Sequence, residues 1–318
     1  MKLGVCAQAL FDLPFDAALR QARALGFTAI ELPVHVGNPF VDLDAALADR
    51  GASLRRALRE ADLTLSALSV HQESQLLLGP YGDDTAHLHA GSPAERAAFG
   101  AERVLKAAEL ARCLDVGVVC GFTGCAGWSR TFPWPMADGW ARMETAFTDA
   151  VRPLLDALHA RGVVFALECH PNQFAYDLET AQRAVLLVDD HPALAFNLDP
   201  GNLAYAEVDP CAFIEALGPR IAHVHAKDAE RPLTARGRSG TLAQGAWDRP
   251  GRGFRFRVPG WGDLDWRRIL TSLHVAGFTG VLSVEHEDPT MSRREGLIQA
   301  VRHLSPLLLS ERPEARWW

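Results

Sequence analysis

Eight short apolar runs alternate with helix-forming segments along the whole chain, and that alternation leaves few folds open. The runs lie at 3–7, 28–32, 64–70, 116–121, 163–168, 194–198, 220–226 and 279–285. Each is mostly Val, Ile, Leu, Ala and Phe, the composition of a parallel strand buried on both faces. Segments rich in Ala, Leu, Arg and Glu at about 14–25, 44–61, 93–114, 138–161, 177–189, 208–217, 264–276 and 291–309 read as helices. Gly26, Gly162 and Gly277 are placed as helix stops. Ser92-Pro93 and Asp209-Pro210 are placed as helix starts, with proline at the first helical position. Eight strand–helix units without a break in composition predict an α/β fold, a (β/α)8 barrel in which residues 1–318 form a single domain. A doubly wound open sheet is the alternative; no G-x-G-x-x-G follows the first strand to support it.

Four of the runs end on a group that could bind a metal: Glu168 in VVFALECHP, Asp199 in LAFNLDPGN, His225 in IAHVHAKD and Glu285 in VLSVEHED. Side chains two apart on a strand share a face. Glu168 thus shares its face with His170, Asp199 with Asn197, His225 with His223, and Glu285 with Ser283 and Glu287. The neighbours assigned to the opposite face, Leu167, Leu198, Val224 and Val284, are all apolar, as they must be if the polar set points into the barrel. Three carboxylates and an imidazole gathered at one point need neutralising. A divalent cation does this most simply, and manganese, magnesium, cobalt and zinc all suit the donor set.

The remaining composition bounds the function. A formal net charge of −7 speaks against a general nucleic-acid binder. Six cysteines without a CxxC pair read as reduced thiols of a cytoplasmic protein. No apolar run nears the ~18 residues that cross a bilayer. Long segments at 71–92, 122–137 and 227–262 follow strands, so in a barrel they share the C-terminal face and wall one pocket. The last carries Arg231, Arg236, Arg238, Arg249, Arg252, Arg255 and Arg257. These read as a solvated loop or as a lid bringing positive charge to an anionic or strongly polar substrate. Trp128, Phe132 and Trp134 are placed for stacking on a ring or for anchoring their loop. The terminal Arg316-Trp317-Trp318 suits a docking tail in a homo-oligomer, or an unstructured end.

The ordered set AIEL (29–32), LECHP (167–171), NLDPGN (197–202), HVHAKD (223–228), PGWGDLDW (259–266) and LSVEHEDP (282–289) resembles the xylose isomerase-like TIM-barrel superfamily, in its sugar phosphate isomerase/epimerase branch. The resemblance implies one divalent metal on Glu168, Asp199, His225 and Glu285. It also implies that Glu168 and Glu285 are the catalytic pair that moves a proton next to a carbonyl of a sugar or keto sugar. Arg231, six residues after the histidine, matches a substrate-binding arginine of ketose 3-epimerases. Two positions depart from those epimerases: Asn202 stands where they have histidine, and Phe174 where they have glutamate. Elimination from 3-keto sugars or glycosides, by a dehydratase or a C-glycoside deglycosidase, is the second reading, because it shares the first half-reaction. A non-catalytic sugar-binding or scaffold barrel is the third. An endonuclease IV-like enzyme would need further ligands, for which His35, His71 and Glu31 are candidates, and it lacks a basic groove here. His71, His170, Asn202, Lys227 and Arg231 are expected at the substrate, with Glu31 and His223 supporting the ligands from behind. The expected partner is a small sugar, with neither nucleic acid nor membrane.

Overall fold

The structure, a computed structural model, describes residues 1–127, 137–309 and 311. Among the described residues there are ten strands. They are β1 (Lys2–Cys6), β2 (Ala29–Pro33), β3 (Thr64–Ser69), β4 (Val118–Gly121), β5 (Val164–Glu168), β6 (Leu194–Leu198), β7 (Ile221–Ala226), β8 (Asp228–Glu230), β9 (Arg255–Arg257) and β10 (Val281–Val284). All but β8 and β9 close a parallel barrel in the order β1-β10-β7-β6-β5-β4-β3-β2. The eight expected strands are all there, within two residues of their predicted bounds. The closed ring excludes the open sheet.

Outward from the barrel lies one continuous apolar layer. Leu167, Leu198, Val224 and Val284 are buried in it, on the face the sequence assigned them. The helix Pro93–Leu114 starts as expected: the Ser92 backbone N–H donates to Glu95 Oε2 (2.8 Å), and the Ser92 hydroxyl accepts from the Glu95 N–H (3.4 Å). The barrel interior is lined by small residues, Ala67, Cys120 and Ala166, with polar groups above them. Gly4 belongs to this lining. A Cβ there would lie 2.5 Å from Val281 Cγ1.

Two features differ from the sequence expectation. The helix expected at 44–61 is two, Leu43–Ala48 and Ala52–Glu60. Arg50 and Gly51 both take positive φ between them, and a Cβ on Gly51 would lie 2.5 Å from Leu114. The chain therefore turns where the helix Pro93–Leu114 comes closest. The segments expected as loops also carry structure. Residues His71–Ser74 and Asp83–Ala86 are short helices, and β8 and β9 pair antiparallel beyond the end of β7. Strands of three residues are too short to show a period. This ribbon is held instead by Phe254 and Phe256 packing with Ala204, Ala229 and Tyr205, and by Asp228. The buried Asp228 carboxylate accepts from the backbone N–H of Ala229 (2.8 Å), Gly260 (2.9 Å) and Leu264 (3.2 Å) and from Trp266 Nε1 (2.9 Å).

Candidate metal centre

The strand order places β5, β6, β7 and β10 side by side, and their C-terminal ends carry Glu168, Asp199, His225 and Glu285 in that order. One ligand atom from each lies within 4.8 Å of the others. His225 Nδ1 is the hub, 3.0 Å from Glu168 Oε2, 3.3 Å from Glu285 Oε2 and 3.9 Å from Asp199 Oδ2. It nevertheless has no aligned hydrogen bond, and neither does Asp199 Oδ2, although Lys227 Nζ is 2.8 Å away. Buried polar atoms are normally satisfied. Two orphans pointing at one spot, among three carboxylates and an imidazole, fit a divalent cation.

The support behind the ligands is specific. His225 Nε2 lies 3.0 Å from Glu31 Oε2, which also accepts from Ser283 Oγ (2.9 Å). Glu31 is fully buried in the middle of β2. A carboxylate on the far nitrogen fixes the ring and leaves Nδ1 as the donor toward a metal. His223, one layer deeper, joins Asn197 Oδ1 (3.1 Å) to Ser66 Oγ (3.3 Å). Asn197 in turn donates to Glu168 Oε2 (2.6 Å), and Asn202 Nδ2 donates to Glu168 Oε1 (2.7 Å). His71 Nε2 completes that carboxylate's surroundings at 3.1 Å.

The charges are strongly coupled. Burial pushes the Asp199 carboxyl up, Lys227 pulls it down, and Glu168 and Glu285 push it up again, to about 7. Burial also opposes ionisation of Glu168, but His225 and His71 outweigh it and hold that carboxyl well below the usual range. For His225 burial favours the neutral ring, while Glu31, Glu285 and Glu168 lift its pKa well above the ordinary value. Without a cation, a proton is drawn to the same cluster; proton and metal compete for one lone pair. Buried His223 goes the other way, down to about 4, through desolvation.

Lys227 lies on the same side as His225, as strand parity predicts. Its ammonium is 2.7 Å from Glu285 Oε2 and 3.1 Å from Glu287 Oε2, and it sits over the Phe256 ring at 4.6 Å. His170 holds the Pro171 carbonyl through Nδ1 (2.5 Å) and flanks Phe122, which His71 meets from another side. Arg231 lies elsewhere. Its guanidinium faces Asp263 (3.4 Å) and Glu207 (3.9 Å), and none of its described polar contacts is with the four-ligand cluster. The cluster's supporting residues Asn197, Ser66, Ser283 and Glu287 were not given roles from sequence. A polar residue two before or after a ligand, as for Asn197, Ser283 and Glu287, is the signal that finds three of them. Trp128, Phe132, Trp134 and Arg316–Trp318 lie outside the described residues.

The sequence profile of the xylose isomerase-like TIM barrel family matches residues 19–307. The chain belongs to that family. Among curated relatives it is 28% identical to the uncharacterised protein YfiH of Bacillus subtilis, over 96% of this chain and 98% of that one. It is 28% identical to an inosose dehydratase of Serratia proteamaculans, over 54% of this chain and 56% of that one. Among solved structures, 3-keto-D-glucoside 4-epimerase YcjR of Escherichia coli superposes with a TM-score of 0.66 at 16% identity, covering 95% of this chain and 99% of that one. A xylose isomerase-like barrel of Mycobacterium smegmatis in complex with magnesium superposes with a TM-score of 0.66 at 18% identity, covering 97% and 98%. At these identities the superpositions carry the fold alone. Among the described residues, no helix is long and apolar enough to cross a membrane.

Proposed function

We propose that the protein is a divalent-metal-dependent sugar isomerase or epimerase that removes a proton next to the carbonyl of a sugar or keto sugar. The observation that carries this reading is the unpartnered His225 Nδ1, surrounded at 3.0–3.9 Å by oxygens of Glu168, Glu285 and Asp199. A divalent ion held by these four groups, whether manganese, magnesium, cobalt or zinc, supplies Lewis-acid polarisation of a carbonyl and its neighbouring hydroxyl.

The chain's own groups do the rest. Glu168 and Glu285 stand on the two outer strands of the four, on either side of Asp199 and His225. Glu285 borders a cavity and takes the proton as general base. Glu168 is the partner on the other side: once it has taken up a proton from solvent, its carboxyl gives that proton to the opposite face or to the adjacent carbon and is left as the carboxylate its donors favour. His71, His170, Asn202 and Lys227 contact the substrate's oxygens; Arg231, its charge already met by Asp263 and Glu207, is given no such contact.

Dehydration is the second reading, favoured by Lys227. An ammonium 2.7 Å from the base Glu285 is placed to protonate a departing hydroxide, which elimination requires and epimerisation does not. The inosose dehydratase relatives agree with this reading. The test is metal analysis of the purified protein, followed by incubation with keto sugars and keto-inositols in D₂O. Deuterium gained without loss of water supports isomerisation or epimerisation. Loss of water supports the dehydratase. A metal-free protein that exchanges nothing overturns both.

A further inference from the structure

A cavity of about 40 Å³ adjoins Glu285 and Glu31. It lies on the side of the barrel away from Glu168 and Asp199, where β10 is followed by β1, β2 and β3. The residues that follow those last three strands supply its polar wall: Gln8 after β1, His35 after β2, and His71 with Gln72 after β3. Among the described residues, no side-chain hydrogen bond within the chain engages Gln8, His35 or Gln72. Gln8 and Gln72 are exposed and His35 is half-buried, so their amide and imidazole groups are open to a ligand.

We infer that the substrate is an uncharged polyhydroxy keto compound, not a phosphate ester, and that Gln8, His35 and Gln72 select it by bonding its far hydroxyls. This rests on the function proposed above. Three observations support it. Amides and a neutral imidazole both donate and accept, which matches hydroxyls; a phosphate calls for cations or a row of donors. Burial and nearby Arg103 both disfavour the charged form of His35. The carboxylates of Glu31, Glu168, Asp199, Glu285 and Glu287 outweigh Lys227 and one divalent ion, so the site repels a second anion.

The arginine-rich segment is largely engaged away from this wall. Arg231 faces Asp263, and Arg236 faces Glu207. Arg257 pairs with Asp288 and Glu230, and Arg255 lies 3.6 Å from Glu230. Arg249 donates to the Gln244 carbonyl, and Arg252 to those of Phe254 and Gly245 while stacking over Trp247. Arg238 is exposed on the helix Leu233–Ser239. Four of the seven arginines thus face carboxylates and two bond backbone carbonyls, and none of their described polar contacts is with the ligand cluster.

The test uses full-length, metal-loaded protein and matched probes: D-fructose with D-fructose 6-phosphate, and 2-keto-myo-inositol with its monophosphate. Binding is read by calorimetry and proton exchange by NMR in D₂O. The expected result is that the neutral member of a pair binds or exchanges at least about tenfold better. Gln72→Leu and Gln8→Leu should each weaken that probe by about tenfold, the scale of one lost hydrogen bond, at unchanged metal content. Gln72→Arg should narrow the preference. Phosphate esters that bind or exchange as well as their parents in metal-loaded protein overturn this inference and leave the proposed reaction standing. Leucine variants that match the wild type overturn the assignment to this wall. A protein that holds no metal and exchanges no probe overturns the proposed function, and this inference falls with it.

Discussion

Glu31 is on no strand that carries an expected ligand, yet it decides how His225 points. The two are 3.0 Å apart, and both are buried. Glu31→Gln keeps the shape and removes the charge behind the imidazole. Metal affinity should fall by roughly 10–100-fold with the fold intact, as read by metal titration and circular dichroism. Unchanged affinity would mean that packing alone orients the ring. The two candidate bases are not equivalent. Glu168 is surrounded by Asn197, Asn202 and His71, whereas Glu285 meets chiefly Lys227 and borders the cavity. Glu285→Gln should therefore abolish solvent exchange of the carbon-bound proton, a loss on the order of 10²–10⁴. Both substitutions remove a charged ligand, and Glu168→Gln should weaken metal binding the more, because an amide cannot accept from both asparagines and keep a charge for the ion. Single-turnover exchange in D₂O and metal content, measured on the same samples, separate the two outcomes.

At the scale of elements, close approach explains what periodicity missed. Gly37 and Gly51 both have positive φ, but a Cβ on Gly37 meets nothing within 4 Å, whereas one on Gly51 meets Leu114. Gly51→Ala should thus cost about 1–3 kcal/mol more than Gly37→Ala in thermal or urea unfolding. Equal costs would place the helix Pro93–Leu114 farther away. Most of the barrel was legible because strands buried on both faces are apolar throughout and the helices between them carry caps and stops. Ligand positions were legible for the same reason: a charge ending an apolar run is conspicuous, and its neighbours' faces follow from a period of two. The break at Arg50-Gly51 was not, since a long Ala, Leu and Arg segment has helix propensity throughout and the obstacle, Leu114, is distant in sequence. Nor was the β8–β9 ribbon, whose cohesion comes from one carboxylate and two phenyl rings. Asp228→Ala would strand four donors, those of Ala229 and Trp266 in buried surroundings, and should cost about 3 kcal/mol, read as a lower melting temperature.

For the whole molecule, a cation bound at the cluster of buried like charges would be part of the fold. Any ion that binds only the native state adds about 2.7 kcal/mol at a hundredfold excess over its Kd. A chelator should lower the melting temperature, and manganese, magnesium, cobalt or zinc should restore it by differing amounts that rank the site's preference. A melting temperature indifferent to chelation and to all four ions would show that the carboxylates are balanced by protons and Lys227 alone. The β8–β9 ribbon has a different kind of consequence. It returns the chain to the barrel rim at Arg257, opposite Asp228, which lies three residues past His225, so residues 231–253 leave and rejoin the scaffold at nearly one point. That span is a cassette. It is open to lengthening, shortening or exchange, in evolution or by design, without passing strain to β7, because the Asp228 clasp bears the load first.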